Sequence, residues 1–120
     1  ERIGHGVRVL EDVSTASLAC ERGVAFVVCV TSNYQTGAIP ASREHPLMKM
    51  FEKGVNITIN TDDPSISRIT LSHEYYTACV DLNMPQYTLK ERIIAAAQAG
   101  FLPANEKEKL VSQLKNELQM

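Results

Sequence analysis

The chain has 120 residues, 44% of them apolar and 22% charged, and carries a formal net charge of -2. That composition is ordinary for a folded globular domain, and a chain of this size buries roughly two thirds of the surface its unfolded form exposes. The slight negative charge without a basic cluster argues against a nucleic-acid partner, and no apolar run is long enough to span a membrane.

Cys20, Cys29 and Cys79 are odd in number, lie in apolar segments and form no CxxC pair. They point to buried packing in a reducing intracellular compartment, the cytoplasm. The chain opens on Glu1 without an initiator Met and enters a strand-like run almost at once, so further sequence is expected upstream.

Arg2-Ile3-Gly4-His5-Gly6 reads as a short strand ending on a histidine between two glycines. Glycine flanks let the backbone approach a ligand and let the imidazole project into a cleft. A histidine at a strand end is more often a structural hydrogen-bonding group, so this motif alone leaves both roles open. Asp12 then caps a helix carrying Val13, Ala16, Leu18 and Cys20, with Gly23 as its stop. Ala25 to Val30 is an uninterrupted apolar run, as suits a parallel strand covered on both faces.

The following Thr31-Ser32-Asn33-Tyr34-Gln35-Thr36-Gly37-Ala38 is expected to be a polar loop at that strand's carboxyl end, where open α/β sheets and barrels hold their ligands. His45, just before Pro46, reads as a capping or surface residue. Pro46 to Lys53 predicts a short amphipathic helix with Leu47, Met50 and Phe51 inward and Gly54 as terminator.

A third strand follows, with Val55, Ile57 and Ile59 on one face and Asn56, Thr58 and Asn60 on the other. It runs into Asp62-Asp63 and is stopped by Pro64, which cannot donate to a ladder. Two adjacent carboxylates repel, so a strand end holding both suits a cation or ligand that separates their duties. The competing reading is a polar turn in which Asp62 caps a helix. Leu71, Tyr75, Ala78, Cys79 and Leu82 recur at helical spacing until Pro85. His73, beside Glu74, finds no metal-binding partner at i+4. Thr88-Leu89-Lys90-Glu91 reads as a capping box for a helix ending near Gly100, and Pro103 opens a last helix striped by Leu110, Leu114 and Leu118. Residues 86–120 thus form a helical tail.

Three strands each followed by helix make a βαβαβα segment, and right-handed crossovers lay the strands parallel. A (β/α)8 barrel needs about 250 residues, so this chain is about half of one. Three motifs, Arg2-Ile3-Gly4-His5-Gly6, Thr31 to Ala38 and Asn60-Thr61-Asp62-Asp63-Pro64, in this order and spacing resemble the carboxyl-terminal part of the adenosine deaminase family. The resemblance runs from Glu1 to the last helix and includes Gly100-Phe101-Leu102-Pro103.

The resemblance implies strands six to eight, with their helices, of a (β/α)8 TIM-barrel metal-dependent hydrolase, all of 1–120 being one carboxyl-terminal half-barrel segment. It implies one Zn2+ ion, and the hydrolytic deamination of adenosine or deoxyadenosine to inosine and ammonia in purine salvage. His5 matches the family's catalytic histidine beside the attacking water, Asp62 its zinc-ligating aspartate, and Asp63 the aspartate that hydrogen-bonds a purine ring nitrogen. The implied partners are a purine nucleoside and the amino-terminal half of the barrel. The family's His-x-His pair, its further zinc histidine and its acidic glutamate have no counterpart here, so the chain alone is expected to be inactive. Val30 departs from the proline the family commonly has after the cysteine. Deamination of adenine or another purine is the nearest competing activity. A non-catalytic half-barrel that self-associates through open sheet edges is the competing class.

Overall fold

The computed structural model describes residues 1–120. Its centre is a parallel sheet of β1 (Arg2–Gly4), β2 (Ala25–Val28) and β3 (Asn56–Ile59), in that order. The helices are α1 (Val13–Glu21), α2 (Val30–Gln35), α3 (Leu47–Glu52), α4 (Pro64–Ser67), α5 (Leu71–Tyr76), α6 (Gln86–Gln98) and α7 (Ala104–Glu117). A 3-10 turn at Val9–Glu11 precedes α1, and a π turn at Thr77–Asp81 continues α5.

Register decides what each face of the sheet does. Ile3, Phe26 and Ile57 are cross-strand partners on one face, and Gly4, Val27 and Thr58 on the other. The first face meets the helices: Phe26, Val28, Ile57 and Ile59 join Leu47, Met50, Val30 and Ala78 in one buried cluster. On the second face Thr58 is buried by hydrogen bonding, its Oγ1 donating to Phe26 O and accepting from Asn60 Nδ2. All three residues of the edge strand β1 are exposed.

Local chemistry accounts for the element ends. The Asp12 carboxylate accepts from the Ser14 and Thr15 amides and caps α1. Gly23 and Gly54 turn in the left-handed region after α1 and α3. Gly6 has φ +68°, and a Cβ there would stand 2.5 Å from a Phe26 ring carbon, so only glycine fits where the chain leaves β1.

Three expectations change. Residues 30–35 are helical, because a polar stretch that buries Ser32 and Asn33 needs its backbone groups paired internally; the strand before it accordingly ends at Val28. Thr88 does not open a helix: α6 begins at Gln86 after an extended Pro85, and Thr88 lies buried inside it. His45 is 3% exposed rather than on the surface, although it does accept the Leu47 amide at the start of α3. The expected stripe of α7 is present, with Leu110, Leu114 and Leu118 half-buried. Arg2 stacks its guanidinium 3.9 Å from the Phe101 ring centroid, tying β1 to the α6–α7 connection.

Candidate active site

Each parallel strand delivers one side chain to the same end of the sheet. His5 follows β1, and its backbone amide still pairs with Val27 O at 2.9 Å. Cys29 follows β2. Asp62 follows β3 after Asn60, whose amide pairs with Val28 O at 2.9 Å. His5 and Asp62 both hold positive φ, 56° and 62°. Such backbone conformations cost non-glycine residues on the order of 1–3 kcal/mol and persist where surroundings dictate them.

The turned backbones bring the side chains together. His5 Nε2 lies 3.6 Å from Asp62 Oδ2, with both side chains a little under half exposed, at 44% and 46%. Ser32 Oγ donates to the same Asp62 oxygen at 2.8 Å. Cys29 completes a group in which one ligating atom from each of His5, Cys29 and Asp62 lies within 4.8 Å of the others. They open onto a cleft of about 580 Å³, whose lining includes Gly4, Leu71 and Tyr75.

Cys29 is buried, as its apolar context predicts, and its thiol borders the site as well. Its thiol is pushed up to about 11, mostly by burial and then by the negative charges of Asp62 and Glu74. The imidazole nitrogen of His5 and the carboxylate of Asp62 are donor types that hold divalent metals, and they converge with Cys29 within 4.8 Å, so the residues present fit such an ion.

The helix α2 supplies most of what sequence reasoning passed over. Thr31 donates its amide to Glu74 Oε1 at 3.1 Å, Ser32 reaches Asp62, and Asn33 reaches His5 Nδ1 at 3.3 Å and His45 Nε2 at 2.8 Å. Glu74 is fully buried on α5, and its Oε2 has no partner. The signal for it was available: Glu74 falls three residues after Leu71 and four before Ala78, on the apolar face of that helix.

Asp63 takes a different part from Asp62. It is extended, and its Oδ1 accepts from the Ser65 and Ile66 amides as the cap of α4, with Pro64 in the first turn. The turn-and-cap reading was therefore right about a cap and wrong about which aspartate provides it. The left-handed turn at Asp62 sends the two carboxylates on separate errands, and Asp63 Oδ2 stays free of protein partners. His73 stands on α5 outside this cluster.

Comparison with known proteins gives the family and the fold. The adenosine deaminase family model matches residues 1–117. The chain is 36% identical over 110 residues to an adenosine deaminase of Serratia proteamaculans and 34% identical to one of Escherichia coli; it is 92% covered in both and spans about a third of each relative, 33%. An adenine deaminase from Arthrobacter aurescens superposes with a TM-score of 0.92 at 23% identity, covering 100% of this chain and 37% of that one. An amidohydrolase from Burkholderia ambifaria, solved with bound zinc, gives 0.88 at 23% identity, covering 99% of this chain and 34% of that one. The fold is thus that of the carboxyl-terminal strands and helices of a (β/α)8-barrel hydrolase.

Proposed function

Because the chain belongs to the adenosine deaminase family, we propose that it forms part of a zinc-dependent enzyme that hydrolyses adenosine or deoxyadenosine to the inosine product and ammonia in purine salvage. The observation that carries this reading is the convergence of His5 and Asp62, 3.6 Å apart, at the ends of parallel strands. Asp62 would hold the metal, with Ser32 fixing one of its oxygens. Zinc, when bound, supplies Lewis acidity that makes a water nucleophilic at neutral pH.

The chain's own groups then divide the remaining work. His5 Nε2 faces the Asp62 carboxylate in the open cleft, and we assign it to contact the oxygen that would attack C6. Asp63 Oδ2, left over from capping, is the group we assign to the purine ring nitrogen; that nitrogen accepts, so this contact requires a proton on Oδ2. The 120 residues bring one ligand of the family's zinc set, so we assign the other ligands and the acid that protonates the purine to a preceding part of the barrel, and the domain 1–120 to its carboxyl-terminal part. We also assign the protein to the cytoplasm, a reading supported by its three free thiols.

Ammonia release from adenosine, adenine and AMP, measured side by side with the protein containing this chain, tests the substrate. Adenosine is expected to turn over fastest. A preference for adenine or AMP would transfer the site to another purine, and no release from any of the three would end the enzymatic reading.

A further inference from the structure

Asn33 lies between two histidines, and the polarity of its hydrogen bonds is fixed from the backbone. The Leu47 amide can only donate, and it meets His45 Nδ1 at 3.0 Å, so that nitrogen carries no proton. Neutral His45 therefore holds its proton on Nε2, in keeping with burial that lowers its affinity for a second one. Nε2–H donates to Asn33 Oδ1 at 2.8 Å, which orients the amide group of Asn33. The other end of that amide, Nδ2, then points at His5 Nδ1 at 3.3 Å. An amide NH2 only donates, so His5 Nδ1 accepts.

That leaves His5 Nε2 on the side of the ring that faces the cleft, 3.6 Å from Asp62 Oδ2. We infer that His45 and Asn33 are positioning residues that lock neutral His5 as its Nε2–H tautomer, through the relay from Leu47 N–H to His45, Asn33 and His5. His5 thus shows a hydrogen-bond donor to the cleft and keeps its lone pair turned inward against Asn33.

The catalytic consequence rests on the proposed deaminase reading. Neutral His5 cannot take a proton at Nε2 in this tautomer. It hydrogen-bonds the attacking oxygen and the negative charge that develops there, a stabilising contact that transfers no proton. Neither His45 nor Asn33 touches the substrate side of the cleft, so both act through His5 alone.

The test is the protonation pattern of the imidazoles, from long-range 1H–15N correlation spectra of the histidine-labelled protein at pH 8, with the His5 signals assigned by their loss in His5→Gln. Nε2–H is also imidazole's ordinary preference in water, so the variants decide. Asn33→Asp places a carboxylate opposite Nδ1 and is expected to move the His5 proton to that nitrogen, leaving Nε2 bare or making the ring doubly protonated. His45→Phe removes the anchor, frees the Asn33 amide to flip and gives a mixture of tautomers. His45→Gln can accept from Leu47 and donate to Asn33 and restores the single Nε2–H form. A bare Nε2 in the unaltered protein, or no response of His5 to both Asn33→Asp and His45→Phe, overturns the relay. The readout needs no substrate: a protein with the locked tautomer and no deaminase activity would refute the functional reading and leave the relay standing.

Discussion

At Gly6 the outcome of one substitution follows directly from geometry. An added methyl would press on Phe26, which is 1% exposed and has nowhere to go, at a backbone φ that disfavours any Cβ. Gly6→Ala is expected to cost about 2–4 kcal/mol, read as a lower urea midpoint, through overpacking and left-handed strain together. His45 gives a pH dependence. Burial lowers its pKa from 6.5 to about 4 in the folded chain, so the unfolded state binds the extra proton more tightly. The stability this group contributes is complete above pH 6.5 and declines as pH falls towards 4, by about 3 kcal/mol at most. Denaturant melts at pH 7.5 and 4.5 should differ less in His45→Gln than in the unaltered protein. At Cys29, a thiol pushed up to about 11 is ionised in roughly one molecule in a thousand at pH 8. Iodoacetamide should leave it intact while the fold persists; rapid alkylation of Cys29 would contradict its placement.

Among the elements, those set by local chemistry were legible and those set by distant contacts were not. Asp12 with Gly23 bounded α1, and Leu47, Met50 and Gly54 defined α3, because cap, stripe and stop are written within a few residues. The helix α2 was not legible, since what stabilises it comes from Asp62, Glu74, His5 and His45, remote in sequence. The site followed the same division. His5, Asp62 and Asp63 stand at strand ends that period and proline mark, whereas the contributions of Cys29, Asn33 and Glu74 depend on packing across elements. Glu74→Ala leaves the Thr31 amide unpaired beside a new cavity and should cost about 2–4 kcal/mol, with faster hydrogen exchange across α2; Glu74→Gln keeps an acceptor and should stay within about 1 kcal/mol. Equal losses in both variants would show that the charge, not the acceptor, holds α2.

For the whole molecule, three parallel strands leave a sheet with two open edges, and β1 is exposed along its length. Parallel sheets are stable where both faces and edges are covered, which a closed barrel achieves and three strands do not. The 120 residues prepared alone are therefore expected to self-associate on size-exclusion chromatography, and elution as a stable monomer would contradict this. The proposed deamination requires strand ends from β1 and β3 to act together with further zinc ligands and an acid. Asp62 is where these requirements meet. The most direct measurement is zinc content together with adenosine deamination, in the protein containing this chain, before and after Asp62→Ala. Both are expected to fall together while the fold, followed by circular dichroism, persists. Full zinc content and undiminished deamination in that variant would contradict the assignment of Asp62 to the metal.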